Sequence, residues 1–161
     1  MKGPSLIERY LLVKPAVRSI TEIPIIVVVG ILGEVFDWTR LPFSPYSNIV
    51  GGAMLVAGLI VHSACHRVHR QGHGKTDAIT SIVTTGIYAS VRHPMYSSLF
   101  LIYFGLALVW GIVWMLLPAA FFSIITVAIA LKEEELLLQR FGSEYEEYLR
   151  KVPYRFVPHM V

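Results

Sequence analysis

YSSLFLIYFGLALVWGIVWMLLPAAFFSIITVAIAL, residues 96–131, contains no charged side chain. A membrane-spanning helix needs about 20 mostly apolar residues, so a stretch of this length holds two of them. A single long buried helix is the alternative, but Gly105, Gly111 and Pro118 all disfavour an unbroken helix. Trp110 adjoins Gly111 in the middle of the stretch, as aromatic residues do at a membrane interface. We therefore predict a helical hairpin in a membrane.

Two further apolar runs precede this hairpin, at residues 20–38 and 46–64. Of the 161 residues, 55% are hydrophobic and 16% are charged, whereas soluble globular chains have about 45–50% and 25%. This composition excludes a disordered chain and argues against a soluble enzyme. The single cysteine, Cys65, excludes an intrachain disulfide framework. We predict an all-α, polytopic integral membrane protein with about four transmembrane helices.

The positions of the basic residues test this topology, because lysine and arginine accumulate in cytoplasmic loops. With four spans, every basic residue except Arg40 lies on one side of the membrane, whereas three or five spans would scatter them. Both termini are therefore predicted to be cytoplasmic, and the net charge of +3 indicates contact with membrane lipid rather than nucleic acid. The predicted single domain, 1–161, comprises the first two helices (1–66), a cytoplasmic loop (67–95), the hairpin (96–131) and a cytoplasmic C-terminal segment (132–161).

The cytoplasmic loop ends in TTGIYASVRHPMY, residues 84–96. Gly86 permits a tight turn, and Pro94 favours an extended His93 and suits the first position of a helix. Arg92, His93 and the N–H groups of that helix then meet at the membrane surface, where they suit a carboxylate or a phosphate. An equally weighted alternative is that Arg92 extends to lipid phosphates and His93 only caps the helix.

The C-terminal segment begins with three consecutive carboxylates, Glu133, Glu134 and Glu135. Successive residues of a helix are about 100° apart, so the three carboxylates cannot share one face. At least one is therefore predicted to point toward the bundle, where it needs a cation as partner. The other two are predicted to be solvated.

A short amphipathic helix is predicted after this run. Gly142 ends the preceding helix, and Ser143 with Glu146 forms a capping box that begins the new one. Helical spacing puts five apolar residues on one face, which is expected to fold back on the other loop or on the interface. These are Phe141, Tyr145, Tyr148, Leu149 and Val152. An extended, basic and aromatic tail with Arg155 follows.

Four histidines offer a different interpretation. His62, His66, His69 and His73 are spaced four, three and four residues apart, which aligns them on one helix face. Four imidazoles can bind zinc, copper or haem. Glycines on both sides of His73 end the helix before it, however, and no carboxylate flanks the set. We favour an interfacial helix whose histidines hold no metal.

Taken together, the loop and C-terminal motifs resemble the isoprenylcysteine carboxyl methyltransferase family, within the wider membrane phospholipid methyltransferases. The resemblance covers roughly residues 78–158 and rests on the 84–88 and 92–96 motifs, the acidic run, Phe141-Gly142 and the tail. It implies a polytopic membrane enzyme that uses S-adenosyl-L-methionine to methylate a lipophilic or prenylated acceptor, with a cytoplasmic cofactor pocket.

The resemblance also implies which residues contact the cofactor. They are Thr80, Ser81, Ile82, Val83, Tyr88, His93, Pro94, Met95, Tyr96 and Glu134. In chemical terms, His93 and Arg92 suit the carboxylate of the cofactor, and Glu134 suits its ammonium group. Tyr88 and Tyr96 can offer hydrogen bonds or aromatic faces.

The acceptor that the resemblance implies is a carboxylate of the isoprenylcysteine type, which attacks the methyl carbon directly and needs no general base. The family places a substrate-binding arginine four residues before the cofactor glutamate, but this chain has Ala130 there. Lys132, Arg92 and Arg155 are the candidates to replace that arginine.

Two further readings remain open at this point. A phospholipid amine can be the acceptor, and a base is then needed, for which Glu133 and Glu135 are candidates. A superfamily relative with another ligand, such as a membrane reductase or a lipid-binding protein, would keep the fold without the transfer.

Overall fold

The computed structural model describes residues 15–68 and 81–158, and within these ranges it contains helices and no strand. Arg40 and Ile112 form an isolated antiparallel bridge. The α-helices are α1 (Pro15–Val35), α2 (Tyr46–Val68), α3 (Pro94–Trp110), α4 (Leu116–Phe141) and α5 (Ser143–Lys151). Short 3₁₀ turns occur at Gly86–Ala89 and Val113–Met115. The prediction of an all-α protein is confirmed.

The α3–α4 hairpin turns where the sequence predicts. Gly111 adopts φ +77°, the left-handed conformation that favours glycine, and its N–H closes α3 by bonding the carbonyl of Ala107. Pro94 is the first residue of α3, where its missing N–H costs no hydrogen bond. The helix therefore begins two residues before the predicted hairpin.

The predicted bounds of α1 are wrong. The helix was expected at residues 20–38, but it begins at Pro15 and ends at Val35. It includes Arg18 because this residue pairs with Glu22 one turn later and both side chains are buried together. It ends early because Asp37 has a positive φ of 49°, which no helix continues.

Helix α4 continues past residue 131, where its apolar part was predicted to end, as far as Phe141. Its end is set by Gly142, which has a φ of +53°. The predicted helix start at Ser143 is correct, but the capping box is wrong, because Gly142 occupies the cap position and no side chain bonds there.

Among the described residues, the largest helix–helix interface is that of α2 with α3. Glycines make the close approach possible: a Cβ built on Gly105 would lie 2.8 Å from the backbone nitrogen of Leu55. Small residues at such contacts are typical of membrane helix pairs. The main core lies between α1, α3 and α4 and includes Ile26, Leu99, Tyr103, Met115 and Ile129.

Within the described residues, two helical stretches are long and apolar enough to cross a membrane: Tyr46–Val68 and Val113–Phe141. Helix α3 is apolar but has only 17 residues, which span about 25 Å against a hydrocarbon core of about 30 Å. Helix α1 carries the charges of Arg18, Glu22 and Glu34.

The connecting segments gather at two opposite ends of the bundle. At one end, the α1–α2 connection lies beside the hairpin turn, since Leu41 bonds Gly111 and Val113 bonds Thr39 through their backbones. At the other end, the start of α3 meets the polar end of α4 and the C-terminal tail. The candidate site lies at this second end.

Candidate functional site

The site is built around the carboxylate of Glu134. Three nitrogen-bearing side chains reach it: Arg92 from Nη1 at 2.9 Å, His93 from Nε2 at 3.0 Å and Arg155 from Nε at 3.2 Å. Glu134 projects from the part of α4 that extends beyond the apolar residues, whereas Arg92 and His93 directly precede α3. The predicted inward-facing carboxylate of the acidic run is therefore Glu134, and its partners include the cations Arg92 and Arg155, as expected.

The C-terminal tail runs antiparallel to the residues that precede α3. The backbone N–H of Arg92 donates to the carbonyl of Tyr154 (2.9 Å), and that of His93 donates to the carbonyl of Arg155 (2.8 Å). The hydroxyl of Ser97 donates to the carbonyl of Phe156 at 2.6 Å. These bonds fix the tail across the start of α3, so the Arg155 guanidinium arrives beside Glu134.

His93 is a central member of the site as well as the N-cap residue of α3. Its side chain makes no capping bond, and its ring lies between Tyr96 (centroids 5.5 Å apart, stacked) and Phe156 (5.8 Å). Arg92 is likewise mostly buried against Glu134 and bonds the Pro153 carbonyl at 2.7 Å, so it does not extend to lipid. The alternative interpretation of these two residues is not supported.

The other two carboxylates of the acidic run differ from each other. Glu133 is half-buried and accepts a hydrogen bond from the hydroxyl of Tyr96 at 2.8 Å. Glu135 is exposed and pairs with Lys132 at 2.7 Å. Only Glu135 is thus a solvated carboxylate of the predicted kind, and Lys132 points away from the site.

Helix α5 closes the site from one side with its aromatic face. Tyr145, Tyr148 and Val152 are buried, and Ile82 from the loop packs against them, which confirms the predicted apolar face. The hydroxyl of Tyr148 donates to the carbonyl of Tyr88 at 2.8 Å. Burial raises the pKa of Tyr148 to about 12, so this hydroxyl remains a donor at neutral pH.

Tyr88 connects the loop to α2. Its side chain is buried in a cluster with Cys65 and Met95, and Val83 packs against the same cluster. Burial, with a smaller contribution from Cys65, raises the pKa of Tyr88 well above its usual value. Burial likewise raises the pKa of Tyr145, with a smaller contribution from the charge of Glu134 nearby.

The predicted cofactor residues separate into three groups. His93, Tyr96 and Glu134 meet in one site, with Arg92 and Arg155 beside them. The surrounding positions, buried or packed against the neighbouring clusters, are those of Ile82, Val83, Tyr88, Pro94 and Met95. Ser81 is exposed at the edge, and Thr80 lies outside the described residues.

Two of the four candidate metal-binding histidines lie among the described residues. His62 and His66 lie on α2 with ring nitrogens 3.0 Å apart, and His62 also lies 3.0 Å from the hydroxyl of Ser98. His69 and His73 fall outside the described residues. Over 15–68 and 81–158, no group of three or more His, Cys, Asp or Glu side chains is arranged to hold a metal ion.

Sequence reasoning missed two parts of the site. Phe156 packs its ring against His93 and accepts a bond through its carbonyl, whereas the sequence places it only in an aromatic tail. Tyr145 was assigned to packing alone, yet it lies within electrostatic reach of Glu134 and Arg92. The alternation of aromatic and basic residues in the tail is the signal for Phe156, but nothing in it specifies the partner.

Comparison with known proteins adds two findings. The family model described as phospholipid methyltransferase matches residues 46–144. The protein-S-isoprenylcysteine O-methyltransferase of Schizosaccharomyces pombe is 36% identical over 81 residues, which cover 45% of this chain and 31% of that protein. The match therefore spans less than a third of the relative's length.

Proposed function

The chain belongs to the phospholipid methyltransferase family, and on that premise we propose that it is a multi-pass membrane methyltransferase that uses S-adenosyl-L-methionine. The observation that carries this proposal is the Glu134 site, in which a carboxylate, two guanidinium groups and an imidazole meet beside buried tyrosines. The guanidinium groups complement the carboxylate of the cofactor, and the Glu134 carboxylate complements its ammonium group.

The residues present fit the cofactor in a second respect. Nε of Arg92 is buried and has no hydrogen-bond partner among the described residues. A buried N–H without a partner is costly, so this donor suits a bound acceptor such as the carboxylate of the cofactor. Glu134 offers the complementary charge for the ammonium group, and the rings of His93, Phe156 and Tyr145 offer apolar faces nearby.

When bound, the cofactor supplies a methyl group on a positively charged sulfur that is a good leaving group. Arg92, His93 and Glu134 would hold the methionine end, and the C-terminal tail fixes Arg155 beside Glu134. The aromatic face of α5 and the buried residues at the start of α3 exclude water from this region. Catalysis then depends mainly on alignment of the two reactants.

We propose a lipophilic carboxylate of the isoprenylcysteine type as acceptor. The bound cofactor would supply its methyl group to a carboxylate oxygen, with one carbon–oxygen bond formed and one carbon–sulfur bond broken, which would give a methyl ester and a neutral thioether. No proton moves, so no side chain has to act as a base. The relative from Schizosaccharomyces pombe is named as an enzyme for that class of acceptor.

A phospholipid amine is the second candidate acceptor, and the Glu133–Tyr96 pair is the observation that favours it. Glu133 is half-buried beside the site and accepts a hydrogen bond from the Tyr96 hydroxyl at 2.8 Å, so its carboxylate is placed where it could take a proton from an amine. Glu135, the other predicted base, is exposed and paired with Lys132. Glu133→Gln should therefore abolish amine methylation but leave methylation of a carboxylate nearly unchanged.

The first test is calorimetric titration of the detergent-purified protein with S-adenosylhomocysteine. We expect micromolar binding by the wild type, and a Kd at least about 10-fold weaker in His93→Ala and Glu134→Gln, since each loses a charge-assisted contact. Glu135→Gln is the matched control, because it changes a neighbouring but exposed carboxylate.

Each variant is first checked by thermal melting, since loss of the Glu134 carboxylate leaves the buried Arg92 guanidinium and the His93 ring without their partner. No binding by folded wild-type protein at high ligand concentration would refute the proposed cofactor, and the relative with another ligand would then be the better hypothesis. Equal Kd values in all variants would refute the proposed pocket.

A further inference from the structure

The two carboxylate oxygens of Glu134 have different partners. Oε1 lies 2.9 Å from Nη1 of Arg92 and 3.0 Å from Nε2 of His93. Nε of Arg155 lies between the two oxygens, 3.3 Å from Oε1 and 3.2 Å from Oε2. Across the described parts of the chain, Oε1 therefore has three partners, whereas Oε2 has Arg155 alone.

Arg155 is also the most weakly held of the three partners. Its side chain is 39% exposed, whereas those of Arg92 and His93 are 8% and 6% exposed. It reaches Glu134 through one N–H that both oxygens share at 3.2–3.3 Å, and strong charge-assisted bonds are shorter, at about 2.7–2.9 Å. Ion pairs with an exposed partner contribute little to stability. The Arg155 side chain can therefore leave Glu134 at a small cost.

The backbone around Arg155 is fixed independently of this side-chain contact. The N–H of His93 donates to the carbonyl of Arg155 at 2.8 Å, and the hydroxyl of Ser97 donates to the carbonyl of Phe156 at 2.6 Å. Neither bond involves the guanidinium. Rotation of the Arg155 side chain alone is thus enough to break its contact with Glu134, and the tail does not have to detach from α3.

The charges of the site indicate why this contact matters for the cofactor. Arg92, Arg155 and Glu134 together carry one net positive charge, and the methionine end of the cofactor brings an ammonium group as well as a carboxylate. An ammonium group at Oε2 would lie beside the Arg155 guanidinium, and like charges at such a distance repel. With Arg155 turned away, the Glu134 carboxylate and the Arg92 guanidinium match the ammonium group and the carboxylate one for one.

We propose that Arg155 competes with the ammonium group of the cofactor for Oε2 of Glu134, and that its side chain turns toward solvent when this group binds. The inference rests on the proposed function. Arg92, whose buried Nε has no partner among the described residues, stays with the carboxylate of the cofactor. Arg155 is thus a built-in competitor that keeps the affinity for the cofactor below what the rest of the site would give.

The test measures the Kd of S-adenosylhomocysteine by calorimetry in a set of arginine variants. Arg155→Met removes the competing charge but keeps an unbranched side chain, and Arg155→Gln is a second neutral variant in case the first does not fold. Arg150→Met is the matched control, because it removes the charge of an exposed arginine at the same end of the molecule. Arg92→Met removes the guanidinium that is proposed to remain.

We expect both neutral Arg155 variants to bind S-adenosylhomocysteine about 2- to 5-fold more tightly than the wild type. Arg150→Met should keep the wild-type Kd, and Arg92→Met should bind more weakly. Measured without ligand, Arg155→Met should melt at a slightly lower temperature, because Glu134 loses a partner. A lower melting temperature combined with tighter binding is expected of a competitor and not of a residue with a purely structural role.

A second ligand separates competition from a general effect of charge. The analogue of S-adenosylhomocysteine that lacks the amino group keeps the carboxylate but has no ammonium group to compete with Arg155. Its Kd should therefore be the same in the wild type and in Arg155→Met. Arg92→Met should weaken the binding of both ligands, because both carry the carboxylate.

Two outcomes would overturn the inference. Equal or weaker binding of S-adenosylhomocysteine by the neutral Arg155 variants would mean that Arg155 does not compete with it. An equal gain in affinity for both ligands would mean that the ammonium group is not what Arg155 opposes. Failure of the folded wild type to bind S-adenosylhomocysteine would instead refute the proposed function.

Discussion

Tyr148 joins the C-terminal segment to the loop that precedes α3 through one buried hydrogen bond to the carbonyl of Tyr88. Tyr148→Phe removes only the hydroxyl and leaves that carbonyl without its donor. We expect a loss of about 1–2 kcal/mol of stability, seen as a lower melting temperature in detergent, and weaker binding of S-adenosylhomocysteine. Tyr46→Phe is the control, because Tyr46 is 75% exposed. Equal melting of both variants would contradict the role of this bond.

The stability that Tyr148 provides should also depend on pH. Burial raises its pKa from the usual 10 to about 12 in the folded protein. The unfolded chain therefore ionises at a lower pH than the folded one, and the contribution is complete below pH 10 and falls as the pH rises toward 12. Melting curves of wild type and Tyr148→Phe should accordingly converge in strongly alkaline buffer.

At the scale of single residues, the sequence predicted which kinds of side chain meet in the site better than it predicted which residues contact each other. Helix geometry alone required one carboxylate of the acidic run to face inward and meet a cation. That this residue is Glu134 and that it contacts Arg92, His93 and Arg155 depends on how the tail pairs with the start of α3. Such a contact joins residues far apart in the sequence, and no local pattern encodes it.

Among the helices, α2 and α3 pack so closely that the contact depends on glycine. Gly105→Ala would place a Cβ 2.8 Å from the Leu55 backbone, so the two helices must separate. We expect this to cost about 1–3 kcal/mol, measured as a lower melting temperature. Because α3 begins at the site, binding of S-adenosylhomocysteine should weaken as well.

Gly52 of α2 provides the matched control for this prediction. A Cβ built on it meets nothing within 4 Å. Gly52→Ala should therefore be neutral or slightly stabilising, because alanine is the better helix former. If both substitutions lower the melting temperature equally, the close approach of α2 and α3 is not what limits stability.

The existence of the helices was predictable, but their ends were not. Apolar runs and the turn at Gly111 predicted four helices and the hairpin. The predicted start of α1 was wrong because Arg18 and Glu22 resemble the polar flank of a membrane span in the sequence. In the structure these two residues pair inside the bundle. The predicted capping box was wrong because Gly142, and not Ser143, is the N-cap residue of α5.

The molecule as a whole has two chemically different ends. At the end with the α1–α2 connection and the hairpin turn, Arg40 pairs with Glu34, so its charge is balanced within the chain. The opposite end carries the Glu134 site and most of the described basic residues, including Arg92, Lys132, Arg140, Arg150, Lys151 and Arg155. From the positive-inside rule we predict that this second end faces the cytoplasm.

That assignment gives a direct prediction of topology. In a Cys65→Ser background, Thr39→Cys and Ser143→Cys introduce thiols at exposed positions at opposite ends of the bundle. A membrane-impermeant maleimide should label position 143 only in inverted vesicles and position 39 only in right-side-out vesicles. If both positions react from the same face, α1 to α4 do not all cross the membrane. The Glu134 site would then need another explanation for its access to a water-soluble cofactor.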